Sequence, residues 1–278
     1  MSVGDFEGLT GRTLRRVSAA VGAVGLLFAT ASGAMAGGSI KDAPAPEGRK
    51  LEWSFNVGGT SDYVFRGISQ TSGDPAVQGG FDMTYGWFYA GAWMSTIDFG
   101  KNVVGKNIVW SEIDLYAGIK PKFGMFTFDF GGIYYAYPGA KDTGAELDYV
   151  ELKAGVSVNP IKPLTIGATG FWSPEYSGKI GEVWTVEGTA AYELPKFHIF
   201  TPTISALVGY QQGDAGQGYA AGTDDNYTYW NAGLALAVDK LTLDFRYWDT
   251  NIDVQNGVCV APLRCDERFV FSAKVTLP

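Results

Sequence analysis

Charged side chains recur at alternate positions within segments whose remaining positions are apolar. The acidic members are Asp62, Asp82, Glu112, Asp114, Glu151, Glu187 and Asp244, and the basic members are Arg66, Lys153, Arg246, Arg268 and Lys274. Charges that share one face of a strand can bind ions or polar solutes, or neutralise each other across strands. The slight acidic excess leads to the hypothesis of a preference for cations or neutral solutes.

Catalytic chemistry has little support in the sequence. The only histidine is His198, expected in a short turn, so a serine–histidine hydrolase would lack a placed base. The sequence contains neither a glycine-rich phosphate loop nor a zinc motif, and no spacing singles out a carboxylate pair. We therefore predict no enzymatic activity, no cofactor and no metal site.

The stretch from Leu51 to Thr71 indicates what positions these charges. Apolar residues alternate with polar ones along it, as in a β-strand with one apolar face and one polar face. The predicted first strand runs from Leu51 to Arg66, and at roughly 3.3 Å per residue it would span ~50 Å. That length and the exposed aromatic face are typical of a membrane-spanning β-strand with an extension beyond the membrane.

The same alternation predicts twelve strands, an even number, as single-chain bacterial barrels require. Their predicted bounds are 51–66, 76–85, 87–99, 109–120, 123–137, 147–159, 164–173, 182–194, 197–211, 227–238, 241–250 and 269–277. Connections after odd strands are long and those after even strands are short, which matches the outer loops and periplasmic turns of these barrels. The sequence predicts an antiparallel up-and-down transmembrane β-barrel with both termini in the periplasm; a soluble all-β domain is the alternative.

The N-terminal segment is predicted to be a cleaved secretory signal peptide over residues 1–36. Arg12, Arg15 and Arg16 precede an apolar run, and the small residues before the Ala36–Gly37 bond suit signal peptidase. Residues 37–50 form a predicted periplasmic leader, and residues 51–278 the barrel. Removal of the signal peptide takes away three arginines and two acidic residues, which leaves 18 basic and 27 acidic residues in the mature chain. The resulting net charge of −9 argues against nucleic acid as a partner.

Composition supports an exported barrel. Aromatic residues make up 14% of the chain and glycine 38 positions, yet no stretch after the signal peptide has 18 consecutive apolar residues.

Cys259 and Cys265 lie close together, and an oxidising compartment favours a disulfide between them. Aromatic residues near the strand ends are predicted to form interfacial girdles; they are Trp53, Trp87, Trp93, Trp172, Trp184 and Tyr192. Ile166 is predicted to face lipid and Thr165 the interior.

One local motif resembles a known family. It comprises residues 61–71, SDYVFRGISQT, continued by DPAVQGG at 74–80, with FYAGAW at 88–93, DLYAG at 114–118 and YAYPG at 135–139. These segments resemble the TorF-type porins (Gcw_chp), a proteobacterial family formerly described only as conserved hypothetical proteins, and the similarity covers essentially the whole mature chain. The resemblance implies an outer-membrane barrel, a pore and no enzyme. The chain departs from the usual aromatic C-terminus, which the barrel-assembly machinery reads, by ending in Leu277-Pro278.

Two functions are compatible with these expectations. In the first, the charges line a channel through which small hydrophilic solutes or ions pass. In the second, the charges plug a narrow barrel that has a structural or adhesive role through outer loops 67–75 and 212–226. Outer-membrane lipid is a partner in both cases, and the oligomeric state is left open.

Overall fold

The computed structural model describes residues 50–101, 105–140, 146–214, 225–252 and 264–278. They form fifteen β-strands. The strands are β1 (Leu51–Thr60), β2 (Val64–Phe65), β3 (Ile68–Ser69), β4 (Ala76–Tyr85), β5 (Phe88–Thr96), β6 (Ser111–Ile119), β7 (Lys122–Phe123), β8 (Phe126–Ala136), β9 (Tyr149–Ile161), β10 (Leu164–Ser173), β11 (Val183–Glu193), β12 (Thr201–Gln212), β13 (Asn226–Val238), β14 (Leu241–Thr250) and β15 (Arg268–Leu277).

Twelve of these strands close into one antiparallel barrel, which confirms the predicted twelve-stranded barrel; the periplasmic location of both termini stays a prediction. Each long strand pairs with its neighbours along the chain, and β1 pairs with β15 to bring the two ends of the barrel wall together. β6 pairs directly with β8, and the two-residue β7 lies in the connection between them. β2 and β3 pair only with each other and stand outside the wall.

The two ends of the barrel differ in the length of their connections. At the turn end, which carries the start of β1 and the end of β15, short connections such as 86–87, 162–163 and 239–240 join neighbouring strands. At the loop end the connections are longer, such as 61–75, 97–110 and 251–267. The predicted alternation of long and short connections is therefore present.

The outer surface of the wall is apolar, as a lipid-facing surface must be. On β1 the side chains of Trp53, Phe55 and Val57 are exposed, whereas the intervening polar side chains point inward. Ile166 on β10 is likewise exposed and Thr165 has the opposite orientation, in agreement with the predicted faces. Because the backbone pairs around a closed ring, the wall has no free edge to expose to lipid.

The predicted first strand is wrong beyond Thr60. β1 ends there, and residues 61–75 turn back so that Thr60 pairs directly with Ala76 at the start of β4. Tyr63 and Phe65, predicted to continue the lipid-facing row, are instead buried. The first long connection therefore folds into the barrel as a short β-hairpin made of β2 and β3.

Trp93 is a second correction. It was predicted to lie in an interfacial girdle, but it is buried on the inner face of β5 and meets the ring of Tyr63, with centroids 5.3 Å apart. Trp53, Trp87, Trp184 and Tyr192 are exposed, as expected for girdle residues, and Trp172 lies against Trp184 with ring centroids 5.8 Å apart.

Several predictions concern residues that lie outside the described ones. These are the signal peptide with its cleavage site at Ala36–Gly37, the leader up to residue 49, Cys259 and most of the 212–226 connection. The disulfide between Cys259 and Cys265 thus stays a prediction; Cys265 itself is buried at the loop end. Within the described residues, no helix has the length and apolar character needed to cross a membrane.

Candidate functional site

The hairpin inside the barrel, residues 61–75, is the most distinctive feature of the lumen. Val64 pairs with Ser69 and Phe65 with Ile68, which leaves Arg66 and Gly67 as a two-residue turn. Both turn residues have positive φ, 46° and 82°, as a type I′ hairpin turn requires. The right-handed twist of such a turn suits a tight hairpin, although arginine at positive φ costs about 1–2 kcal/mol.

The hairpin tip is fitted against the far wall of the barrel. A Cβ atom added at Gly67 would lie 2.2 Å from Cγ2 of Thr250 on β14 and 3.0 Å from Cβ of Tyr229 on β13. Glycine is therefore required here both by the backbone conformation and by the close approach of the wall.

Arg66 joins the hairpin tip to β9 through a bidentate ion pair. Its Nη1 and Nη2 donate to Oε1 and Oε2 of Glu151, at 2.8 and 2.9 Å. The hydroxyl of Tyr135 donates to the same carboxylate at 2.8 Å, and the guanidinium carbon lies 4.9 Å from the ring centroid of Phe171. Burial acts to lower the pKa of Arg66, but the Glu151 carboxylate together with Tyr176 and Tyr229 more than compensates and the pKa is raised, so the guanidinium stays charged.

The base of the hairpin is anchored by Asp62 and Tyr63. Oδ1 of Asp62 accepts hydrogen bonds from the hydroxyls of Ser69 and Thr71, and Oδ2 accepts one from Arg268 on β15 at 2.9 Å. The hydroxyl of Tyr63 donates to Glu112 on β6 at 2.8 Å. Burial, followed by the charge of Glu112, raises the pKa of Tyr63, so this hydroxyl keeps its proton.

Around the hairpin the lumen is filled. Polar wall side chains at this level are buried to within 1% of complete; they are Glu112, Asp114, Glu151, Thr185, Glu187 and Gln211. Apolar and aromatic side chains from the loop-end connections cover them, namely Ile97, Phe99, Val109, Tyr137, Leu147, Tyr176, Ile180 and Ile252. The loop-end half of the barrel is thus a packed interior, with the hairpin as its central element. We call this level the buried belt.

The turn-end half is more open and carries its own charged groups. On one side the Asp129 carboxylate accepts hydrogen bonds from the Lys153 ammonium at 3.0 Å and from the Tyr89 hydroxyl at 2.8 Å. The Lys120 ammonium lies 3.5 Å from the same carboxylate. Both lysine ammonium groups lie over the Tyr89 ring, 4.8 and 5.3 Å from its centroid. Asp129 is partly exposed, so this group meets the open part of the lumen.

A second charged group lies across the turn-end half. Arg246 donates to both oxygens of Asp244 at 3.0 and 3.1 Å, to Asn231 at 2.6 Å and to Ser205 at 3.0 Å. Asp82 accepts from the hydroxyl of Tyr116 at 2.5 Å. Lys274 lies within electrostatic range of both Asp82 and Asp244.

The residues predicted to line a pore all face the interior, but they fall into three groups. Glu112, Asp114, Glu151 and Glu187 lie in the buried belt; Asp82, Lys153, Asp244, Arg246 and Lys274 lie in the turn-end half; and Asp62, Arg66 and Arg268 belong to the hairpin and its anchor. Asp62 and Arg66 are therefore not part of the barrel wall, because the chain leaves the wall after Thr60.

Sequence reasoning missed the aromatic partners of these charges. Tyr135 and Tyr229 donate to Glu151 and Glu187, and Tyr89 and Asp129 complete the lysine group. The inward parity of Tyr135, Asp129 and Tyr229 was readable from the alternation of β8 and β13, whereas Tyr89 on β5 shares its face with Trp93, which was predicted to lie in a girdle. Tyrosine also belongs to the interfacial girdles on the lipid-facing side, so residue type alone gave no signal.

Family comparison agrees with this architecture. A family model described as "Bacterial protein of unknown function (Gcw_chp)" matches residues 45–277. The chain belongs to this family. The match spans the whole barrel, including the hairpin, and is the family named above from the sequence motif. No curated protein matches the chain in sequence.

Solved structures share the fold. The NanC porin is similar with a TM-score of 0.52 and 14% identity, over 81% of this chain and 99% of that one. The KdgM porin is similar with a TM-score of 0.53 and 11% identity, over the same shares. At these identities the likeness concerns the barrel architecture alone. A closed barrel with an apolar exterior is a structure of the bacterial outer membrane, and this member of the Gcw_chp family is an outer-membrane, porin-like β-barrel.

Proposed function

We propose that the protein is a porin-like channel for small hydrophilic solutes or ions, and that the 61–75 hairpin restricts the passage. The carrying observation is that charged side chains line the lumen from the turn end up to the hairpin. Charges placed along a barrel interior set the selectivity of passage. Low conductance in the resting state is expected, because Arg66 and the described side chains of the buried belt around it are almost completely buried.

The attachment of the hairpin supports a movable restriction. The strands β2 and β3 pair only with each other, and the hairpin tip is held by side chains, above all the pair between Arg66 and Glu151. Backbone hydrogen bonds hold the base: the Ser61 N–H donates to the Phe271 carbonyl on β15, the Ser69 N–H to the Arg264 carbonyl, and the Asp98 N–H to the Gln70 carbonyl. The residues at the two ends of the hairpin, Thr60 and Ala76, are paired with each other. The wall can therefore keep its pairing when the hairpin moves.

Conductance in planar bilayers tests the proposal. The wild-type barrel is compared with a variant in which residues 61–75 are replaced by a four-residue turn, since Thr60 and Ala76 are already opposite each other. We expect small stepwise openings for the wild type and larger ones for the variant, with cation preference in a salt gradient. Heat-modifiable mobility on gels verifies that both barrels fold. A folded variant that stays silent would refute the channel.

A plugged barrel with a structural or adhesive role is the second candidate. The complete burial of the belt favours it. Its predicted outer loop 67–75 needs revision, because Gly67–Thr71 are buried in the lumen and cannot present a binding surface. A wild type that is silent at every voltage, together with an open hairpin-deleted variant, would select this candidate.

A further inference from the structure

The exposed charges at the two ends of the barrel differ in sign. Among the described residues, the loop-end connections carry eleven acidic side chains and five basic ones. At the turn end, the short connections and the strand residues beside them form a rim with the opposite balance. Apart from Lys120, this rim exposes five lysines and three carboxylates, namely Lys50, Lys122, Lys162, Lys196 and Lys240 against Glu52, Glu193 and Asp239. Because the chain as a whole is acidic, composition alone does not explain a basic turn end.

The lysines of the rim differ from the lysine in the lumen. Lys120 is paired with Asp129, 3.5 Å away, so its charge is already matched inside the barrel. In contrast, Lys162, Lys196 and Lys240 are exposed and form no ion pair within the described part of the chain. Their ammonium groups are therefore available to a partner outside the barrel.

Large apolar side chains accompany three of the rim lysines. Each of the pairs Lys122–Phe123, Ile161–Lys162 and Lys196–Phe197 places an exposed lysine next in sequence to an apolar residue. The apolar members are between 54% and 64% exposed. Phe123 also lies against Trp87, which is predicted to be a girdle residue, with ring centroids 6.3 Å apart. The rim thus combines an apolar surface with positive charge at the same level of the barrel.

This combination suits the surface of a bilayer that contains anionic lipid. The apolar side chains remain at the edge of the hydrocarbon, while the long lysine stems extend their ammonium groups to the level of the lipid phosphates. Lysines held at this level attract anionic headgroups. We propose that the turn end of the barrel is a docking surface for anionic phospholipids, whose headgroups contact Lys122, Lys162, Lys196 and Lys240.

The docking surface lies outside the lumen, so its role does not depend on whether solutes pass through the barrel. The acidic loop end has the wrong sign for the same lipids. With both termini in the periplasm, as predicted, the turn end meets the phospholipid leaflet that faces the periplasm. Because the rim lysines are exposed, salt is expected to screen their attraction for the headgroups.

The lipid selectivity of the refolded mature barrel tests the proposal. Electron spin resonance of spin-labelled phosphatidylglycerol and phosphatidylcholine, each in phosphatidylcholine vesicles that hold the barrel, compares the affinities of the two lipids for the barrel surface. We expect a preference for phosphatidylglycerol of about twofold or more in low salt. This preference is expected to disappear in 1 M salt, where the screening length falls to about 3 Å.

Two triple variants locate the docking surface. The combination of Lys162→Gln, Lys196→Gln and Lys240→Gln is expected to lose most of the preference. The matched control combines Lys101→Gln, Lys106→Gln and Lys179→Gln, which removes three exposed lysines from the loop end, and it is expected to keep the wild-type preference. Heat-modifiable mobility on gels verifies that both variants fold. The proposal is overturned if the wild type has no preference, if the turn-end variant keeps it in full, or if the loop-end variant loses it equally.

Discussion

Arg66 and Glu151 form a two-point ion pair across the lumen, with N–O distances of 2.8 and 2.9 Å and both side chains within 1% of complete burial. A buried pair of this kind adds little net stability, because desolvation of the two charges offsets their attraction. What it supplies is position: only one placement of the hairpin tip satisfies both charges. The pair thus fixes the position of the hairpin tip, whereas backbone hydrogen bonds of Ser61, Ser69 and Gln70 hold the base.

Breaking this pair from one side is the first prediction. Arg66→Ala leaves Glu151 charged and buried, which costs about 3–5 kcal/mol. Because the wall keeps its own pairing, we expect the hairpin to leave its seat while the barrel stays folded. Increased conductance and faster proteolysis between residues 61 and 75 measure the release.

The control for Arg66 is the double variant Arg66→Met with Glu151→Gln. It removes both charges and keeps the volume, so it is expected to hold the hairpin better than either single variant. Equal proteolysis of all three variants would mean that the ion pair does not hold the hairpin.

Gly67→Ala is the second prediction. The added methyl would meet Thr250 at 2.2 Å and the backbone φ is +82°, so the tip cannot keep its present position. We expect the same gain in conductance as for Arg66→Ala, with the gel mobility of a folded barrel.

Gly139→Ala separates the clash from the backbone strain. Gly139 also has a positive φ, +72°, but an added Cβ would meet nothing within 4 Å. It should cost the ordinary penalty of about 1–2 kcal/mol and leave conductance unchanged. If both variants conduct alike, the tight seat of Gly67 is not what keeps the hairpin in place.

The wall strands could be predicted closely and the hairpin could not. β4, β10 and β14 have the bounds expected from sequence, because a lipid-facing row forces every second residue to be apolar. Residues 61–65 continue that alternation, and a hairpin buried in a lumen has the same period of two. The turn itself was hidden, because Arg66-Gly67 lacks the asparagine or aspartate that usually marks a type I′ turn.

Trp93, on the barrel wall, also shows what the sequence could not predict. On β5 apolar residues occupy both faces, with Phe88 and Met94 outside and Trp93 inside. Inside the barrel, Trp93 packs against the ring of Tyr63 from the hairpin. This contact joins two residues that are distant in sequence, so the alternation within one strand cannot predict it.

The lipid-facing row gives the third prediction. Ile166→Arg puts a charge on the exterior of β10, which costs up to about 2–4 kcal/mol at the bilayer centre and less towards its surface. Thr165→Arg puts the same charge into the turn-end lumen and is expected to be tolerated. The folded fraction after refolding into lipid vesicles, read from heat-modifiable mobility, measures both; equal tolerance would show that the assigned faces of β10 are wrong.

The anchor at the hairpin base gives the fourth prediction. Arg268→Gln removes the cation that pairs with Asp62. The Arg268 and Asp62 side chains are nearly buried, with exposures of 12% and 8%. Asp62 keeps its bonds from Ser69 and Thr71, so we expect a smaller loss than at the tip, on the order of 1–3 kcal/mol, and partial release of the hairpin. Lys179→Gln is the matched control, because its pair with Glu146 is more than half exposed and is worth at most about 1 kcal/mol. Proteolysis of the hairpin should increase for Arg268→Gln alone; an equal increase for Lys179→Gln would indicate a general loss of loop-end stability rather than loss of this anchor.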